Sequence, residues 1–145
     1  MKWILATALL YLLPNTAWLG NIQEAKTTAT KEHKLILLNF SGSDWCGPCI
    51  RLTKDVFESE NFSNYAKDNL VLVRADFPRQ KKHRLDKEQV KRNEQMADQY
   101  NPNGIFPYTL LLDENGKILK SWEGNPGLDA DEMIAAIKSV KDGDQ

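Results

Sequence analysis

The stretch Leu35-Ile36-Leu37-Leu38-Asn39-Phe40-Ser41-Gly42-Ser43-Asp44-Trp45-Cys46-Gly47-Pro48-Cys49 reads as a strand, a turn and a helix start in succession. Residues 35–40 form a nearly continuous apolar run of strand length, as expected for a strand covered on both faces rather than half exposed. Ser41 to Asp44 are turn formers that end the run. Past Cys46, residues Leu52, Val56 and Phe57 recur at helical spacing. Pro48 falls where a first-turn proline is tolerated, because its missing N–H would have no intrahelical partner. The strand therefore delivers the chain's 2 cysteines, spaced C-x-x-C, to the leading end of a helix.

That placement matters because only a thiolate attacks a disulfide. Unpaired N–H groups and the positive end of the helix dipole favour negative charge on Cys46, and one pKa unit gained corresponds to ~1.4 kcal/mol. Cys46 is the expected nucleophile. Cys49, one turn later on the same helix and directed inward where burial disfavours its charge, is the expected resolving thiol. Gly47 lets the backbone bend, and Pro48 stiffens the turn and so biases the balance between dithiol and disulfide. The pair carries both electrons itself, so no cofactor is implied. A half zinc site is a rival reading, but structural zinc takes four ligands and only His33 and His83 are available, each in a charged segment. An inert staple is another, but loop-closure entropy gives so short a ring only ~2 kcal/mol. The expectation is redox chemistry with no metal.

Further elements follow on either side. Trp18, Ile22 and Ala25 have helical spacing and predict a first helix over about 18–31. The run Leu70 to Ala75 reads as a second buried strand, with a helix resuming between Phe62 and Lys67 before it. Phe77 to Asp86 holds Arg79, Lys81, Lys82, His83 and Arg84 and lacks core residues, which predicts a solvated loop or a docking patch for an acidic partner. Val90, Asn93, Ala97 and Tyr100 keep a helical period up to the stop Asn101-Pro102-Asn103-Gly104. Tyr108 to Leu112 and Lys117 to Trp122 flank Asn115-Gly116, a strong hairpin signal. Asp129 and Glu132 have the spacing of a capping box ahead of a last helix marked by Met133, Ile134, Ile137 and Val140. The order implies an α/β layer structure whose sheet mixes parallel and antiparallel strands.

With 145 residues, 41% of them hydrophobic and 27% charged, the chain has the size and composition of one globular domain. Its 19 basic and 20 acidic side chains leave a formal charge of -1, so no overall field draws it to nucleic acid or an anionic membrane. Protein or small-thiol partners and a monomer are expected. At the start, Lys2 precedes the apolar run Trp3 to Leu13 and then Pro14-Asn15-Thr16-Ala17, the regions of a secretory leader. The run falls short of the ~20 apolar residues that span a bilayer as a helix. Cleavage after Ala17 is expected, leaving a domain over 18–145; an uncleaved anchor facing the periplasm is the alternative.

At Trp45-Cys46-Gly47-Pro48-Cys49 the chain resembles the thioredoxin family. The strand before the motif, the helix after it, Ile105-Phe106-Pro107-Tyr108 ahead of a strand, and the closing hairpin and helix extend the likeness from about Trp18 to Val140. Residues 40–45 with Asp55-Val56-Phe57 are more similar to exported bacterial members and to the C-terminal domain of the membrane electron-transfer protein DsbD. The resemblance implies a thioredoxin-like fold, a central mixed sheet flanked by helices. It further implies a cis Pro107 facing the cysteines, Phe106 offering its backbone to an extended substrate segment, and Trp45 shielding the disulfide and touching partners. One departure is clear: the family's buried Asp on the strand before the motif aligns with Asn39, and an amide cannot take a proton. Water or Asp44 is expected to substitute, and Arg74 is expected at the place of a strand lysine. The implied activity is thiol–disulfide exchange in the periplasm, reducing protein disulfides or relaying electrons from an upstream thiol donor. A disulfide oxidase or isomerase, or a binding module built on the basic loop, is the alternative.

Overall fold

The computed structural model describes residues 17–143. The leader reading, Ala17 apart, lies outside the described residues. Strand β1 (Leu35–Ser41) sits in the middle of a 4-stranded sheet, parallel to β2 (Leu70–Asp76) on one side and antiparallel to β3 (Tyr108–Leu112) on the other; β3 pairs antiparallel with β4 (Ile118–Glu123). Helices α1 (Ile22–Glu32) and α4 (Lys87–Tyr100) cover one face. Helices α2 (Gly47–Leu52), α3 (Glu60–Asn69) and α5 (Ala130–Gly143) cover the other.

Side-chain alternation divides β1 between two cores. Ile36, Leu38 and Phe40 join Val71, Val73, Leu110 and Leu112 beneath α1 and α4. Leu37 joins Leu72 and Leu111 against Phe62, Met133 and Ile137 of the other layer. Both faces are covered, which is why the run in the sequence lacks a polar alternation. The same alternation assigns Asn39, Arg74 and Thr109 to the face of Leu37, Leu72 and Leu111, the face that carries α2.

Two expectations are corrected. Trp18 is not helical: Leu19 forms an isolated parallel bridge with Val73, and α1 begins only at Ile22, where Asn21 accepts the N–H groups of Gln23 and Glu24 at 2.9 and 3.2 Å. Val90 is exposed, and Met96 takes the core position on α4 beside Asn93 and Tyr100. The helix after the cysteines widens into a π-helical segment at Thr53–Phe57, which the spacing of Leu52, Val56 and Phe57 did not separate from α2. The hairpin turn is held by Asp113, whose Oδ1 accepts from the N–H of Asn115 and of Lys117, each at 2.9 Å, with Gly116 at φ 86°. The capping box is closed, Asp129 N–H to Glu132 at 2.9 Å and Glu132 N–H to Asp129 at 2.8 Å.

Candidate active site

The site stands at the C-terminal end of β1. Ser41 closes the strand, and Gly42 starts a tight turn in which its carbonyl accepts from the N–H groups of Trp45 at 3.2 Å and Cys46 at 2.8 Å. A side chain at Gly42 would collide with the Trp45 indole, so the turn requires glycine. Cys46 is the N-cap of α2 and Pro48 lies in its first turn, as the missing proline N–H allows.

Cys46 and Cys49 are joined as a disulfide. The Sγ of Cys46 accepts the backbone N–H of Cys49 at 3.3 Å, and the Sγ of Cys49 accepts that of Gly42 at 3.5 Å. Both sulfurs are thus met by N–H dipoles, an arrangement that favours negative charge on either. Both are buried, Cys46 at 5% exposure and Cys49 at 1%, so what distinguishes them is that Cys46 caps the helix while Cys49 lies within its first turn. Ile50, 46% exposed, leaves an apolar rim beside the pair.

Trp45 lies over this turn. Its Nε1–H donates to the carbonyl of Phe77 at 2.7 Å, and its ring meets Phe106 edge-on at 5.6 Å. The Phe106–Pro107 peptide bond is cis, and the Pro107 carbonyl accepts the N–H of Gly124 at 2.8 Å. Buried Asn101 braces the approach to that bond, exchanging hydrogen bonds with the backbone N–H and C=O of Ile105, each at 2.9 Å. Sequence reasoning took Asn101 only as a helix stop. Its position three residues before a Gly and six before a Pro was the available signal.

Behind the disulfide, Asn39 is buried and donates through Nδ2 to the Oγ1 of Thr109 at 3.1 Å. Arg74 pairs with Asn39 across β1 and β2. Its guanidinium stacks on Trp18 at 4.0 Å and reaches the Thr53 hydroxyl at 3.4 Å, and burial pulls its pKa down against the opposing charges of Asp76 and Glu58. Cys49, Thr53, Glu58 and Arg74 line a groove of about 500 Å³.

Asp44 is engaged elsewhere. Its carboxylate accepts the backbone N–H of Arg79 and of Gln80, each at 2.9 Å, and lies 3.0 Å from the Nδ1 of His83. The Arg79 bond foremost, with those of Gln80 and His83, lowers its pKa from 3.8 to about 2, against the upward pull of burial. A carboxyl so weakly basic, with its oxygens occupied, is poorly suited to take a thiol proton near neutrality. The geometry instead makes Asp44 a clamp that buckles the basic loop to the turn carrying the cysteines.

Among the described residues no helix is long and apolar enough to cross a membrane, and no cluster of metal-ligating side chains occurs.

Comparison with known proteins agrees with this architecture. The family model described as a thioredoxin-like domain matches residues 22–141. The disulfide bond reductase DsbH of Chlamydia pneumoniae is 38% identical over 126 residues, 87% of this chain and 73% of that protein. A solved DsbH oxidoreductase superposes with a TM-score of 0.75 at 31% identity, covering 86% of this chain and 83% of its own. The oxidised C-terminal domain of DsbD from Neisseria meningitidis shares the fold at a TM-score of 0.55 and 14% identity, over 81% of this chain and 90% of that one. The chain belongs to the thioredoxin-like family and is a thiol–disulfide oxidoreductase.

Proposed function

We propose that the chain is an exported reductase of protein disulfides, with Cys46 as nucleophile and Cys49 as resolving thiol. The observation that carries this is the pair's asymmetry: Cys46 caps the helix and takes the Cys49 N–H, while Cys49 lies behind it at 1% exposure. The Cys46 thiolate attacks a substrate disulfide; one substrate sulfur leaves with the bond's electron pair and is protonated, and a mixed disulfide forms. Cys49 then loses its proton, attacks Cys46, and releases the second substrate sulfur. Two electrons pass to the substrate and the Cys46–Cys49 bond re-forms. An upstream dithiol of the same class restores the reduced pair, with no separate cofactor. Asn39 offers no proton acceptor, so water entering the groove beside Cys49 takes that proton.

Phe106, next to the cis Pro107 and in contact with Trp45, is suited to offer its backbone to an extended substrate segment. Reductive direction draws on the name of the related disulfide bond reductase and on the Gly-Pro pair between the cysteines. Export to the periplasm rests on the pattern of Lys2 to Ala17, with the domain beginning at Trp18; mass spectrometry of the native N-terminus checks it, and an intact Met1 would reject cleavage.

The functional test is insulin reduction by wild type and by Cys46→Ser, with the reduction potential measured against glutathione. The reading expects activity in wild type alone and a potential below about -200 mV. A value near about -120 mV would favour the oxidase reading. Equal turnover by both proteins would leave the binding module in front.

A further inference from the structure

The basic stretch that the redox chemistry leaves unused is neither distant from the disulfide nor loosely held. Arg79 places its guanidinium 3.7 Å from the centre of the Trp45 ring, the residue preceding Cys46. Asp44 ties the loop down through Arg79, Gln80 and His83, and a 3-10 turn at Lys81–His83 orders its middle. From the far side, Asn93 of α4 donates to the Asp76 carbonyl at 2.8 Å. Arg79, Lys81, Lys82, His83 and Arg84 are all exposed along this braced segment.

Between the loop and α4 lies a notch of about 160 Å³. Phe77, Pro78, Leu85 and Val90 give it apolar walls, and Arg79, Lys81 and Arg84 stand at its rim. Val90, which shares the helical period of Asn93 and Tyr100, is 38% exposed here. The one carboxylate lining the notch is Asp76, already engaged by the Ser43 N–H at 3.0 Å, the Ser43 hydroxyl at 2.6 Å and the Phe77 N–H at 3.0 Å. Among the described residues, none of the three rim side chains Arg79, Lys81 and Arg84 forms a salt bridge, although the carboxylates of Asp44 and Asp86 lie in or next to the loop.

We propose that this notch is a docking site for an acidic polypeptide segment, which seats one apolar side chain between Phe77 and Val90 and sets carboxylates against Arg79, Lys81 and Arg84. The volume is close to that of a cavity of about 150 Å³ known to hold a benzene ring, so it suits a single side chain. Charge complementarity selects acidic flanks and steers their approach. The chain's formal charge of -1 supplies no general attraction to a polyanion such as nucleic acid, which leaves the local pattern of three cations around an apolar floor as the discriminating feature. Because Arg79 both lines the notch and covers Trp45, the residue before Cys46, a segment seated there is tied to the active-site turn, and docking would select which protein disulfides are presented to Cys46. In this the inference deepens the reductase reading and rests on it.

The test is calorimetric titration of the oxidised full chain with cysteine-free peptides of about a dozen residues. One carries a central Leu flanked by Glu, a second the same Leu flanked by Lys, and a third Glu flanks around Ser. The first is expected to bind at least about tenfold tighter than either other, and to weaken with salt. The double variant Lys81→Glu/Arg84→Glu is expected to lose that preference and Lys81→Arg/Arg84→Lys to keep it, with melting temperatures showing that both are folded. Equal affinity for Glu- and Lys-flanked peptides, or a preference surviving in the charge-reversed variant, overturns the proposal. So does tighter binding of a single-stranded oligonucleotide or of anionic vesicles than of the acidic peptide. Disulfide-bearing forms of the peptides separate this failure from that of the reductase reading. Equal reduction of both with equal affinity sinks docking alone, while preserved discrimination in binding without any reduction supports docking and sinks the reductase.

Discussion

The backbone N–H of Cys49 donates to the Sγ of Cys46 at 3.3 Å, so the two cysteines are unlike partners within one helical turn. When the bond is reduced, that N–H and the other free amides of the first turn face a sulfur able to hold negative charge. Timed alkylation of the reduced protein at pH 7 is expected to modify Cys46 faster than a free cysteine in the same solution. Cys49, at 1% exposure, should remain unmodified over the same interval. Peptide mapping reads both rates, and a Cys49 that reacts first would reverse the assigned roles.

Asp44 holds the backbone of Arg79 and Gln80 through its carboxylate, and those bonds bring its pKa from 3.8 to about 2. The folded chain therefore binds this proton more weakly than the unfolded one. The clamp's contribution is complete above the unfolded value and is lost as pH falls from about 4 toward 2. The amide resonances of Arg79 and Gln80 are expected to titrate with a midpoint near the lower figure, and to be flat over this range in Asp44→Asn. Hydrogen exchange at the same amides should quicken in that variant. A midpoint at the ordinary carboxylate value would show that the loop is not held by this group.

The parts of the fold that were legible are those in which one local pattern admits one solution. The runs at Leu35 and Leu70 lack polar alternation because both sheet faces are covered, and Pro48 after Cys46 is compatible with a helix only in its first turn. Trp18 misled because Trp18, Ile22 and Ala25 have helical spacing although Leu19 is engaged with β2; Asn21, a strong N-cap residue, was the better boundary signal. The contact of Asn39 with Thr109 needs the β1–β3 register, and that of Asp44 with Arg79 joins residues 35 apart. No periodicity encodes either. Asp44 drew attention through its nearness to Cys46 in sequence, whereas its partners lie in a loop reached only through β2.

Asn39→Asp tests what the missing carboxylate means. The new side chain would sit buried on the Thr109 hydroxyl, and the Arg74 guanidinium of the neighbouring strand is turned away to Trp18 and Thr53. Its ionisation is then disfavoured in the fold, and the variant should lose stability as pH rises above the unfolded carboxylate value, until its own raised pKa is passed. A loss of ~1–3 kcal/mol at neutral pH is expected from urea midpoints, shrinking on acidification. If water in the groove serves wild type, single-turnover release of substrate from Cys46 should follow the ionisation of Cys49 alone in wild type and should gain a second inflection, from the introduced carboxyl, in the variant. Identical profiles would show that position 39 does not communicate with Cys49.

Arg74 poses the opposite case, a cation drawn into the groove that Cys49 lines. Its stacking on Trp18 at 4.0 Å contributes about 0.5–2 kcal/mol. Among the described residues its buried Nε has no acceptor, an omission of about 1–3 kcal/mol in the other direction. These effects offset, so Arg74→Met is expected to move the urea midpoint by the equivalent of less than ~1 kcal/mol either way. The chemistry should respond more than the stability does. With the positive charge removed from the groove, the Cys49 thiolate loses a favourable neighbour, and resolution of the Cys46 mixed disulfide should slow several-fold while formation of that intermediate is unaffected. Arg74→Lys should restore part of the rate, since it returns the charge without the planar stack. A Met variant that resolves the intermediate at the wild-type rate would show that Arg74 serves Trp18 and Thr53 alone.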